Sequence, residues 1–189
     1  IIILRVIKMD LNWKLNKTEH IVQDEWIDFR KESFILPDGK EFSPFYNYSR
    51  RNFVVIIAKT KDGKYITVRQ FRHGLKKVTT EFCAGGIEGS EHESALLAAK
   101  RELEEETGYI SDNWKHIYTI PSNPTIADNY AFLYYADNCE KVSNQHLDST
   151  EFLEVKEYTE DEINDLIKNN KFVQPIHLMG WLMVKKGVL

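Results

Sequence analysis

Glutamates stand at positions 102, 105 and 106, related by i, i+3 and i+4 spacing. On a helix this spacing gathers three carboxylates on one face. Each like-charge pair four residues apart costs a lone helix about 0.2–0.5 kcal/mol. The trio also sits just before Thr107-Gly108, where glycine is the usual left-handed terminator. The carboxylates therefore meet the negative end of the helix dipole. A helix chosen for stability alone avoids both effects. A hard divalent cation removes them, because clustered carboxylate oxygens suit Mg²⁺ or Mn²⁺. The bland alternative is an acidic, solvated helix face.

The helix that must position them belongs to the stretch from Glu81 to Ile110. At about 100° per residue, Leu96, Ala99 and Leu103 share one side with Ala95 beside them, and that side faces a core. Glu102 and Glu106 sit at the edge of this stripe, Glu104 points away, and Arg101 lies next to Glu105. A short apolar run, Phe82-Cys83-Ala84, leads through Gly85-Gly86 toward the helix.

Arg101-Glu102-Leu103-Glu104-Glu105-Glu106-Thr107-Gly108-Tyr109 resembles the second half of the Nudix box, R-E-U-x-E-E-x-G-U with U apolar. Glu93 stands eight residues before Arg101, as the box requires, although the loop from Gly85-Gly86 to Glu93 is about two residues longer than the usual pattern. Further motifs resemble the branch of that family acting on ADP-ribose and ADP-sugars. Val68-Arg69-Gln70-Phe71-Arg72-His73-Gly74 is similar to its R-Q-[YF]-R-x-G strand. Glu81-Phe82-Cys83-Ala84-Gly85 is similar to its E-x-P-A-G, with cysteine where proline is usual. Pro124 lies fifteen residues after Tyr109, and Leu147 to Val155 is similar to a late loop carrying an additional glutamate.

The resemblance implies a Mg²⁺-dependent (or Mn²⁺-dependent) hydrolase that cleaves the pyrophosphate bond of ADP-ribose or a related nucleoside diphosphate sugar into AMP and a sugar phosphate. It implies Glu102, Glu105, Glu106 and the Ala84 carbonyl as metal ligands. Gly85 and Gly86 let the backbone approach the metal and phosphates. Arg101 orients the glutamates, and Glu93 supports the loop. Glu151 is the expected general base, with Glu154 as its rival. Arg72 is the expected phosphate clamp, and Glu81 binds ribose hydroxyls or lines the metal site. Trp26, with Phe45, Tyr46 and Tyr48, offers an aromatic platform for adenine. In this branch the N-terminal arm commonly completes a partner subunit's site, so a homodimer is implied. The alternatives are a Nudix enzyme for a GDP-sugar or a nucleoside triphosphate, and a non-catalytic Nudix domain that senses a nucleotide.

The rest of the chain fits such a domain. Its 189 residues suffice for one domain with a sizeable core. A net charge of −4 gives no reason to expect nucleic acid as a partner. No apolar run approaches the roughly 20 residues of a membrane span, and IIILRVIK lacks the features of a signal peptide. Two cysteines, Cys83 and Cys139, make no disulfide framework, so a cytoplasmic setting with reduced thiols is expected. Met9 is a candidate native start. Residues 1–50 are expected as a β-rich arm, with strand character at Ile2–Ile7 and Glu25–Arg30 and a turn at 36–39. Residues 51–189 are expected as the hydrolase domain. Its predicted strands are Phe53–Ala58, Tyr65–Arg72, Val78–Cys83, Trp114–Ile120, Tyr130–Ala136 and Phe152–Tyr158. Thr159-Glu160-Asp161-Glu162 is a capping box opening a helix to about residue 169. Pro175 precedes a last helix over 176–186, in which Gly180 is a flaw of about 1 kcal/mol. His73 and His177 are expected as hydrogen-bonded structural residues. The fold class is α/β (α+β): an α/β/α sandwich around a mixed sheet, with an N-terminal β-rich arm.

Overall fold

Before Arg50 the chain folds as three antiparallel strands, β1 (Lys14–Gln23), β2 (Asp28–Ile35) and β3 (Glu41–Ser49), ordered β1-β2-β3. This computed structural model describes residues 10–88 and 94–187; Ile2–Ile7 and Glu93 lie outside them. The sequence places a strand over Glu25–Arg30, whereas residues 24–27 form a turn closed by Asp24, whose Oδ1 accepts from the Trp26 and Ile27 N–H groups. Strand β1 has almost no apolar alternation to betray it. Its residues are exposed apart from half-buried Thr18, and pairing with β2 carries it. This sheet and Asn123–Asn129 form one compact unit through Arg50. Tyr48 N–H donates to the Ile126 carbonyl at 2.8 Å, and Arg30 Nη2 to Asp128 Oδ2 at 3.1 Å.

The second unit comprises Arg51–Ser122 and the chain from Tyr130 onward. It holds β4 (Phe53–Thr60), β5 (Tyr65–Arg72), β6 (Lys77–Glu81), β7 (Cys83–Gly86), α1 (Ala95–Thr107), β8 (Tyr109–Ile110), β9 (Asn113–Pro121), β10 (Tyr130–Lys141), β11 (Leu153–Tyr158), α2 (Glu160–Lys168) and α3 (Pro175–Lys185). The expected strand over Val78–Cys83 is two strands. It breaks at Phe82, so that β6 pairs β5 and β7 pairs β4, filling the gap where β4 and β5 diverge. The sheet is mixed: β10 runs parallel to β4 and antiparallel to β9.

Strand β4 shows why FVVIIA is continuously apolar. Val54, Ile56 and Ala58 pack on one side with Ile66, Ala98, Ala99 and Leu103, under α1. Val55 and Ile57 pack on the other with Tyr65, Phe82, Ile163 of α2 and Trp181 of α3. A strand covered on both faces has no polar side to alternate with. Gly180 is explained by the same packing, since a Cβ there would lie 3.0 Å from Ile57 Cδ1 and Leu133 Cδ2. Helix α2 opens on the expected capping box at Thr159 and Glu162, and α3 carries Pro175 in its first turn. His177 is buried, but its Nδ1 has no hydrogen-bond partner, and burial pushes its pKa down to about 3. No helix among the described residues is long and apolar enough to cross a membrane.

Candidate active site

Helix α1 is fixed at both ends. Ser94 caps it, accepting from the Leu97 N–H at 3.3 Å. Gly108 closes it at φ 73°, donating its N–H to the Glu104 carbonyl at 2.7 Å. A Cβ on Gly108 would fall 2.2 Å from the Ser143 carbonyl oxygen, so glycine is needed for conformation and space alike. The late carbonyls of α1 are capped from outside: Gln145 Nε2 donates to the Glu106 carbonyl and His146 N–H to the Glu105 carbonyl, each at 2.8 Å. This tie leads directly into the loop that carries Glu151.

With Leu103 facing the core, Glu102 and Glu106 are drawn inward and buried, Glu105 is half-buried, and Glu104 is exposed. Arg101 spans this group. Its Nη1 donates to Glu102 Oε1 at 2.8 Å and to Glu105 Oε2 at 3.0 Å, and its Nη2 to the Gly86 carbonyl at 3.0 Å. The guanidinium thus ties the acidic helix to the glycine pair. Glu106 Oε2 accepts from the Ala84 N–H at 3.3 Å, and the buried Cys83 thiol bonds to the same side chain. Cys83 is the site residue that the sequence did not reveal. It stands where the related motif has proline, and a thiol in that place has no motif to announce it.

Burial pushes the Glu106 pKa up to about 8 and that of Glu102 up to about 7. Arg101 works against the rise at Glu102, while the Ala84 and Cys83 hydrogen bonds oppose it at Glu106. Two buried carboxylates with so little positive charge beside them need a cation or a proton. Among the described residues, no three His, Cys, Asp or Glu side chains converge as a metal-holding group as they stand; Glu105 is turned onto Arg101. The donor chemistry nevertheless fits a hard divalent ion. Gly85 adds to the fit, because a Cβ there would fall 1.9 Å from the Glu102 carboxyl carbon. The backbone at Gly85 cradles that carboxylate. We expect Gly85→Ala to keep its thermal midpoint within a few degrees, because the displaced atoms end a flexible side chain. Any activity that depends on the Glu102 oxygens should fall at least about tenfold through their misplacement. A kinetic assay beside a melting curve checks both.

Glu151 is half-buried and follows a turn in which its N–H donates to the Asp148 carbonyl at 2.9 Å. Its Oε2 accepts from the Asp148 N–H at 3.0 Å. Its charge reaches Glu102, Glu106 and Cys83, raising the pKa of each. Glu154 is placed differently. Adjacent residues of a strand face opposite ways; Val155 packs in the cluster under α1, while Glu154 pairs with Arg69 at 2.9 Å at the surface.

Arg72 and Glu81 form a second cluster. Glu81 is fully buried, paired with Arg72 Nη2, and accepts from Gln70 Nε2 at 2.7 Å and from the Thr79 hydroxyl at 3.4 Å. Burial raises its pKa despite these partners. Gly86 has open space where a side chain would go. Trp26 lies in the other compact unit, in the turn between β1 and β2, and is 63% exposed. Phe45 and Tyr46 are on β3 of that unit. Phe45 packs with Trp13, Phe34 and Phe42, and Tyr46 stacks on Phe29.

Comparison with known proteins bears on the same residues. Residues 49–177 match the family model described as NUDIX domain. The chain is 32% identical over 174 residues to an ADP-ribose pyrophosphatase of Bacillus subtilis (strain 168), spanning 90% of this chain and 92% of that one. It is 33% identical over 159 residues to a methanol dehydrogenase activator of Bacillus methanolicus, spanning 84% of each. Its fold is similar to the crystal structure of an ADP compounds hydrolase, with a TM-score of 0.83 and 18% identity over 96% of this chain and 97% of that one.

Proposed function

The chain belongs to the NUDIX domain family, and from that premise we propose that it hydrolyses the pyrophosphate bond of ADP-ribose or a related nucleoside diphosphate sugar, releasing AMP and a sugar phosphate. The observation that carries this reading is the buried pair Glu102 and Glu106 on one helix face, with the Glu102 carboxylate against Gly85 and Arg101 bridging to Gly86. The similarity to an ADP-ribose pyrophosphatase over 92% of its length supports the substrate class.

Glu102, Glu105, Glu106 and the Ala84 carbonyl would hold the cation. When bound, Mg²⁺ or Mn²⁺ neutralises diphosphate charge and makes a bound water more acidic. The chain does the rest. Arg101 keeps the glutamates in register and fixes the Gly86 carbonyl. The bare backbone at Gly85 and Gly86 leaves room for a phosphate to approach. With Glu151 Oε2 held by Asp148, Oε1 remains to take the proton of the attacking water. Arg72, whose side chain is one-third exposed, presents the guanidinium edge not used by Glu81 to a phosphate. Trp26 would supply a stacking face for adenine in the site of a second copy of the chain. The exposed Trp13, Leu15 and Phe42 of the same unit fit burial against a second copy of the chain. Free, buried Cys83 and Cys139 fit a reducing cytoplasmic setting.

Product analysis tests the reading. Incubated with Mg²⁺ and ADP-ribose, GDP-mannose or dGTP, the protein is expected to turn over ADP-ribose fastest, giving AMP. Preference for another nucleotide would move the substrate assignment, and no turnover with intact binding would make the chain a sensor. The choice of base is tested separately. Glu151→Gln should lower kcat by about 10²–10⁴-fold with KM little changed, whereas Glu154→Gln should stay within about twofold of the parent, as expected for an exposed ion pair.

A further inference from the structure

A cavity of about 470 Å³ opens on the opposite face of the sheet from α1, between β5, β6, the end of α2 and the segment that follows it. Three cations line it, Arg69, Lys77 and Lys171, and no aspartate or glutamate is among its lining residues. This is unexpected on a chain of net charge −4. Arg69 is held in place by Glu154, while Lys77 and Lys171 have no ion-pair partner among the described residues. Arg69 is the register partner of Thr80 across the β5–β6 pair, and the Thr80 N–H donates to the Lys171 carbonyl at 3.4 Å, while Lys77 stands opposite Arg72 at the start of β6. Asn170, in a left-handed conformation at φ 54°, turns the chain so that Lys171 reaches the strand. The remaining wall is apolar, from Leu166 and Val173 with the ring of Tyr158.

A pocket of this size takes a small molecule. Positive charge with hydroxyl and amide donors on one side suits a phosphate, and an apolar wall suits an organic body attached to it. We propose that this cavity binds a phosphomonoester, at a site separate from the carboxylates of α1. The proposal does not depend on the reaction assigned above.

Amide chemical shifts of the intact, metal-free protein test this. Inorganic phosphate, AMP and adenosine are titrated separately. Phosphate and AMP should give saturable shifts at Thr79, Thr80, Asn170 and Lys171, AMP binding the tighter, and adenosine should give none. The variant K171E should weaken AMP at those amides by at least about tenfold while Mg²⁺-dependent hydrolysis and the melting temperature stay near the parent values. K171Q, which adds no negative charge, should give an intermediate loss. Absence of shifts at these four amides would overturn the proposal. So would adenosine matching AMP, or unchanged binding in both variants.

Discussion

Glu106→Gln should abolish nearly all turnover while leaving the metal-free protein more stable than its parent. Glu106 is 4% exposed, and burial opposes its charge. Glutamine keeps the shape and can still accept from the Ala84 N–H, but it removes a buried carboxyl that, without a cation, must either carry its charge against burial and Glu102 or take up a proton. It also removes a ligand for the cation. The loss of activity should exceed about 10²-fold, since disturbing even an outer partner at a metal site costs about 10–100-fold. Magnesium should raise the parent's melting temperature and leave the variant's nearly unmoved, because a ligand stabilises only the state that binds it. A hydrolysis assay with paired melting curves reads all three effects. If the variant kept full Mg²⁺-dependent activity, the ligand assignment would be wrong.

The same burial makes metal-free stability depend on pH, with a definite sign. Burial holds the folded pKa values of Glu102 and Glu106 at about 7 and about 8, against an ordinary value of 4.5. Between those limits the folded state holds more protons than the unfolded one, so stability falls as pH rises. His177 acts the other way. Its folded pKa of about 3 lies below the ordinary 6.5 of histidine, so it costs stability only as pH falls through about 6.5. The carboxylate effect is therefore cleanest from about pH 6.5 to about pH 8.5. There the melting temperature of chelator-treated protein should drop, the drop should shrink in Glu106→Gln, and saturating Mg²⁺ should largely cancel it. A flat or rising profile in the parent would show that the carboxylates are not strained by burial.

The acidic helix face was legible because it is a local pattern. Spacing alone sets Glu102, Glu105 and Glu106 on one side and Leu103 beside them, and Arg101 follows from its position one turn before Glu105. The two-sided burial of β4 was legible for the same reason. What escaped depends on the rest of the fold. Strand β1 is polar and held by its neighbour. The division of 77–86 into β6 and β7 at Phe82 answers to the divergence of two other strands. That a Gly85 side chain would strike the Glu102 carboxylate is a meeting of residues far apart in sequence. The separation of Glu151 from Glu154 needed the register of β11, which sends Val155 under α1 and leaves Glu154 with Arg69. His177 was expected to be hydrogen-bonded, and its Nδ1 is instead left bare.

The most direct test is a crystal of the protein soaked with Mn²⁺ and a non-hydrolysable methylene analogue of ADP-ribose. Anomalous density should place ions about 2.0–2.3 Å from oxygens of Glu102 and Glu106, touching the analogue's diphosphonate. Ordered analogue with ions bound elsewhere, or with none bound, would contradict it.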